Sequence, residues 1–147
     1  IKTEECFRME RTLLIIKPNV VEKCQVGAVI SALEKKELII RNMKMERLSR
    51  KRAEEFYEIH RGKPFFERLI DFMTSGPVVP MVLEHRDGVN YARDVIGCTN
   101  PQEAAEGTIR KKFGQDVTRN AVHASDSPEN AAREIAFFFG YDETGPG

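Results

Sequence analysis

The chain has no tryptophan, only three cysteines and no excess of either charge. Cys6, Cys24 and Cys98 are odd in number, widely spaced and in no CxxC pair. That argues against a disulfide framework or a zinc site and fits the reduced thiols of a cytoplasmic protein. The 23 basic and 23 acidic side chains cancel, so no global field drives the chain toward nucleic acid or an anionic membrane. Any anion it binds must be met by a local cluster of cations. The longest apolar runs, Leu13–Ile16 and Val78–Leu83, are too short to span a bilayer, and residues 1–10 are too polar for a signal peptide. Neither GxxxxGK(S/T) nor GxGxxG occurs. A nucleotide bound by this chain would therefore be held by scattered side chains, not by a P-loop or a Rossmann turn.

What is present suits one compact domain. At 147 residues, with 41% hydrophobic and 31% charged side chains, the chain is long enough to bury a full core without staples. The domain pattern begins at Met9. Residues 1–8 are set aside as a disordered lead or a start-site artefact, leaving 9–147 as a single domain. Thr12–Ile16 reads as a buried strand. Val26, Val29, Ile30 and Leu33 give a helix over 26–36 one apolar stripe. Alternation over Leu38–Leu48 predicts a second strand. Ser49 is placed to cap a helix running to His60, and Gly62 and Pro64 stop it.

Phe66, Leu69, Ile70 and Met73 predict a helix over 65–74. Val78–Leu83 reads as a strand in which Pro80 marks an edge or a bulge. Gly88–Ile96 is helical, 99–107 a surface loop, 108–113 a short helix and 120–123 a short strand. Ser127-Pro128 supplies an N-cap and an N1 proline, with Asp126 and Glu129 as a capping pair, for a last helix whose apolar face carries Ala131, Ile135, Phe138 and Phe139. This order predicts an α+β, ferredoxin-like βαββαβ sandwich: a four-stranded antiparallel sheet with helices on one face, plus helical insertions. There is no internal repeat or linker.

Three histidines compete for a chemical role. His60 ends a charged helix, where a cation suits the helix dipole, and His85 lies in a polar turn. His123 ends a strand just before a tight turn into a helix, where anions and reactive groups gather. Position alone leaves a structural and a catalytic role equally open for it. Its neighbours favour catalysis: Ser125 is two residues on, and Glu134 lies two helical turns into the next helix. A hydroxyl and a carboxylate within reach can fix an imidazole in one tautomer and orientation, as a nucleophile requires.

The stretch Asn120-Ala-Val-His123-Ala-Ser125-Asp126-Ser127 resembles the active-site signature N-x-x-H-(G/A)-S-D of the nucleoside diphosphate kinases. So do five further segments, in the family's order and spacing. They are Glu10 to Pro18, Tyr57 with Gly62 to Phe66, Ser75 to Val79, Gly97 to Pro101, and Gly107 to Arg110. The resemblance runs from Met9 to Phe139. It implies that His123 takes the terminal phosphoryl group of a nucleoside triphosphate and passes it to a nucleoside diphosphate. It also implies catalytic roles for Glu134, Ser125, Lys17 and Tyr57. Lys17, Arg93 and Arg110 would contact phosphate and sugar, Thr99 a phosphate and Asn120 the ribose, while Phe65 and Val117 would flank the base. Stacking without edge readout tolerates any base.

The resemblance further implies magnesium, arriving with the nucleotide because no carboxylate cluster reads as a metal cage. It implies a homo-oligomer, with exposed apolar faces on the early helix and second strand as the dimer surface. The chain's end soon after its last helix tilts the expectation toward a tetramer over a hexamer. No membrane or nucleic-acid partner is expected. Two departures stand out: Asn19 replaces a common Asp, and Ala124 replaces a common Gly, which predicts an ordinary backbone at 124. The rival readings are a histidine phosphocarrier and a non-catalytic interaction module on the same fold.

Overall fold

The computed structural model describes residues 9–140, so the expectation of a disordered lead at 1–8 lies outside the described residues. Four strands form one sheet in the order β2-β3-β1-β4: β1 (Glu10–Ile16), β2 (Ile39–Met43), β3 (Val79–His85) and β4 (Val122–Ala124). Every pairing is antiparallel, β1 lying between β3 and β4. With a helical crossover from β1 to β2 and another from β3 to β4, this is the expected ferredoxin-like sandwich.

The helices are α1 (Pro18–Glu22), α2 (Val26–Lys35), α3 (Arg50–Phe56), α4 (Phe66–Met73), α5 (Gly88–Ile96), α6 (Ile109–Phe113) and α7 (Pro128–Phe139). Period-2 alternation along β1 sends Leu14 and Ile16 into one core and Leu13 and Ile15 into another. The first core takes α2, α5 and α6 through Val29, Leu33, Ala92, Ile96 and Phe113. The second takes α3, α4 and α7 through Phe56, Ile70, Met73, Ile135 and Phe138. The crossover helices α2 and α5, with α6, lie on one face, as expected for this fold with helical insertions. The inserted pair α3–α4 and the last helix cover the other face, because β1 is apolar on both sides and both sides must be buried.

Local signals place most boundaries. Ser49, Thr108 and Ser127 accept from the backbone N–H of Arg52, Lys111 and Asn130, capping α3, α6 and α7. Asp126 accepts from the Asn130 side chain and does not pair with Glu129 as expected. α3 stops at Phe56, earlier than its pattern suggested, and the chain tightens into a 3-10 turn over Glu58–His60. Helix α1 was not foreseen, although Pro18 at its first turn signals it.

Pro80 corrects the edge-strand expectation. It lies in β3, an interior strand, opposite Ile15. Its carbonyl accepts from Lys44 N–H just past the end of β2, and the ladder resumes only at Glu46–Val78. The bulge falls instead in β2, between Ile40 and Asn42. Among the described residues no helix is long and apolar enough to cross a membrane.

Candidate active site

His123 sits in the middle of β4, paired with Ile15 on the face covered by α3, α4 and α7. Its Nε2 lies 2.8 Å from Glu134 Oε1, and Ser125 Oγ donates to the same oxygen at 2.7 Å. An ionised carboxylate only accepts, so Nε2 carries the ring proton and Nδ1 holds the free lone pair. The other carboxylate oxygen meets Arg133 at 3.4 Å. Burial pushes the Glu134 carboxyl up, but the hydrogen bonds from His123 and Ser125 and the Arg133 charge outweigh it, and the group ends below its ordinary value. Glu134 and Ser125 are both buried, and edge-on contacts from Phe56 at 5.2 Å and Tyr57 at 5.9 Å complete the ring's seat.

The backbone leading into β4 is unusual. Ala121 has φ 78°, and Val122 N–H donates to Asn120 carbonyl across it. Such a tight turn at a non-glycine residue costs about 1–3 kcal/mol and persists only where the surroundings hold it. Lys17 N–H donates to the Ala121 carbonyl at 2.8 Å, and Lys17 Nζ donates to Asn120 Oδ1 at 2.8 Å. Asn120 in turn donates to the carbonyls of Thr99 and Val117 at 3.0 and 3.2 Å. Ala124, as expected, has an ordinary backbone.

Three cations converge on this point. Arg110 is buried; its guanidinium donates to the carbonyls of Val122 (2.9 Å) and Gly97 (3.1 Å), while its Nε has no partner. Burial and the neighbouring Arg93 lower its pKa to about 10, still fully charged near neutrality. Gly97 has φ +90°, and a Cβ there would fall 2.7 Å from Thr108 Oγ1, so glycine alone allows α5 and α6 to bring Arg93 and Arg110 this close. Arg93 donates to the Ala124 carbonyl at 3.2 Å. Burial, then Arg110, lowers the Lys17 ammonium to about 7, with Asp116 opposing. Among the described residues no carboxylate forms an ion pair with Lys17, Arg93 or Arg110, and Asp116 acts on Lys17 only at a distance, which suits a site built to receive an anion.

These groups line one cavity of about 480 Å³, a size usual for small-molecule sites. Lys17, Tyr57, Phe65, Arg93, Thr99, Arg110, Val117, Asn120, His123 and Glu134 all reach its wall. Ser125 stands behind it, touching Glu134. Phe65 and Val117 are at the outer end, 38% and 53% exposed. Tyr57 is buried and its hydroxyl has no partner. Burial, then the Glu134 charge, drives its pKa far upward, so it stays a donor at any working pH. Asn19 is buried as well, its amide donating to the Phe113 carbonyl at 3.3 Å, a bond that an Asp carboxylate at this position could not make.

Several wall residues escaped the sequence reading. His60, assigned there to a helix end, lines the cavity; burial, then Lys63 and His123, lower its pKa. Asp126 in the turn before α7, and Asn130 and Arg133 within it, line the cavity too, and their signal was proximity to His123. Among the described residues no group of three His, Cys, Asp or Glu is placed to hold a metal.

An oriented imidazole with a free Nδ1, facing a cavity whose inner end is cationic and whose outer end is aromatic, can accept a group from a polyanion with a planar head. A profile of the family described as nucleoside diphosphate kinase matches residues 10–144. The chain belongs to the nucleoside diphosphate kinase family. It is 54% identical over 135 residues to the nucleoside diphosphate kinase of Chlamydia felis, covering 92% of this chain and 96% of that one. The Archaeoglobus fulgidus enzyme is also 54% identical, covering 92% and 89%. Among solved structures, the nucleoside diphosphate kinase of Aquifex aeolicus superposes with TM-score 0.89 at 45% identity, over 92% and 99% of the two chains. The halophilic enzyme of Halobacterium salinarum, solved with CDP, gives 0.87 at 40% identity over 92% and 91%. The protein is a phosphotransferase enzyme of this family.

Proposed function

We propose that the enzyme moves the terminal phosphoryl group of a nucleoside triphosphate, mainly ATP, onto a nucleoside diphosphate through phosphohistidine at His123. The observation that carries this is the split use of the imidazole on the cavity wall: Nε2 is held by Glu134, while Nδ1 has no hydrogen-bond partner among the described residues. In the first half-reaction the Nδ1 lone pair forms a bond to the terminal phosphorus, and the bond to the bridging oxygen breaks, releasing the diphosphate. The ring gains positive charge as it gives up that lone pair, and the Glu134 carboxylate stabilises it. A second diphosphate then attacks the phosphorus and returns Nδ1 to its resting state, a ping-pong cycle of two similar steps.

Charge spreads over the phosphoryl oxygens during transfer, so catalysis depends on positioning and fixed cations. Lys17, Arg93 and Arg110 supply the charge, Thr99 and the Tyr57 hydroxyl supply donors, and Asn120 meets the ribose. Phe65 and Val117 bracket the base without reading its edge, which admits purines and pyrimidines alike. The donor set fits magnesium carried on the phosphates: Glu134 is engaged by His123, leaving Asp126 as the wall carboxylate available to the ion's waters. Bound so, magnesium would supply neutralisation of the phosphate charge.

The same reading takes residues 9–147 as one catalytic domain working in the cytoplasm, where Cys24 and Cys98 stay free thiols. It also takes the enzyme as a homo-oligomer, a tetramer in preference to a hexamer. The edge strand β2 presents Ile39 and Met43 to solvent, with Met45 just beyond, an apolar edge of the kind that pairs with a second copy; light scattering gives the number of subunits. The activity is tested by incubating the protein with γ-labelled ATP and magnesium, then adding GDP. An acid-labile, base-stable phosphoprotein that passes its label to GTP is expected, with none in His123→Ala. Label retained in that variant overturns the mechanism, and label that never reaches GDP makes the protein a phosphocarrier.

A further inference from the structure

Phe65 is a half-exposed aromatic side chain at the rim of the cavity. It lies at the N-cap of α4, after a turn set by Gly62 at φ +89°, and its ring is 38% exposed. A ring free to change rotamer loses that freedom when a planar group stacks on it, and the loss subtracts from affinity unless the ring is already held. Among the described residues the Phe65 ring has one aromatic neighbour, His60, and one cationic neighbour, Lys63. Lys63 Nζ lies 6.0 Å from its centroid, on a flexible stem. His60 presents its ring at 5.3 Å and 60°, an edge-on contact.

His60 is itself fixed. It stacks on Tyr57 at 6.3 Å and 26°, and Tyr57, buried, stands edge-on to His123. Four rings thus run from the nucleophile to the rim: His123, Tyr57, His60, Phe65. His60 Nδ1 has no accessible surface and no hydrogen-bond partner, so the bond an imidazole could make there does not explain its presence. Its ring packing does.

We infer that His60 is a positioning residue for the base end of the cavity: its ring holds Phe65 in the orientation on which a nucleotide base stacks. This rests on the cavity being a nucleoside triphosphate site.

The test compares phosphorylation of His123 by ATP and by ribose 5-triphosphate, which has the same phosphates and sugar but no base. Wild type, His60→Ala, His60→Phe and Phe65→Ala are measured in the full chain. His60→Ala is expected to raise the KM for ATP about two- to tenfold, the range that ordering one side chain spans, with kcat little changed. It is expected to leave ribose 5-triphosphate unaffected, and His60→Phe, which keeps a ring, restores ATP. Equal loss with both donors means that His60 serves the phosphate end or the fold, and overturns the inference; so does an unchanged KM for ATP, or a failure of His60→Phe to rescue. If Phe65→Ala does not itself separate the two donors, base stacking is wrong and His60's role falls with it. If wild type accepts phosphate from neither donor, the phosphotransfer reading has failed first.

Discussion

The two ends of the cavity are built by different means. At the inner end Lys17, Arg110, Asn120, Glu134 and Ser125 are all buried, and each is tied to the chain by at least one hydrogen bond. At the outer end Phe65 and Val117 are exposed apolar side chains on connecting segments, with ring contacts in place of directional bonds. In the proposed reading, chemistry that needs charges aimed at one point falls to side chains fixed by the sheet, and recognition of any base falls to a surface that only has to be flat and apolar. Burial of the inner end opposes stability, because Lys17 has lost its hydration and the charge of Arg110 adds to the penalty. The outer end carries no such load.

Lys17→Met breaks the comparison most severely. Loss of a buried cation from the phosphate site is expected to lower kcat/KM by about 10²–10³-fold. The same change should raise Tm, since it removes a charge the fold disfavours. The sign follows from the lowered value. The folded ammonium titrates near 7 and the unfolded one near 10.5, so the unfolded chain binds more protons in between, and stability due to this group rises with pH across that window. Denaturant titrations of both proteins across that range check it; a wild type whose Lys17-dependent stability falls with rising pH would contradict the burial argument.

Glu134→Gln is a milder cut. The amide can keep the hydrogen bonds but not the charge that steadies the ring cation, so the phosphorylation rate is expected to fall about tenfold. Stopped-flow measurement of the first half-reaction reads this directly, and an unchanged rate would mean that the carboxylate only orients the ring. At the outer end Val117→Ser should change KM by less than about threefold, alike for purine and pyrimidine triphosphates, because one methyl pair against a base is worth about 0.5 kcal/mol. A change confined to one base class would show edge readout there.

Much of the inner end was legible in the chain. The Asn120–Ser127 stretch announces a strand end, a turn and a capped helix, so His123, Ser125 and Glu134 come together by local geometry plus one helix packing on the sheet. Lys17 and Arg110 were named from resemblance, since nothing local says that residues 93 positions apart meet. The outer end was less legible. His60 was read as a helix terminus because apolar periodicity does not reveal that α3 gives way to a 3-10 turn after Phe56, which aims the imidazole at the cavity. Pro80 in an interior strand was misread for a related reason: its missing donor falls where β2 has already ended, a fact of register between distant segments.

β1 has a consequence for motion. Its inner end, Leu14–Ile16, is paired along both edges and lies between the two cores, so these amides are expected to exchange with solvent only when the whole domain opens. Lys17 follows directly on its last residue, and His123 is paired to it through Ile15. In the proposed reading the groups that handle phosphorus are therefore anchored on this slow-opening segment. Phe65 lies outside the sheet at the start of α4, half-exposed, so a nucleotide leaving that end need not disturb the reacting centre.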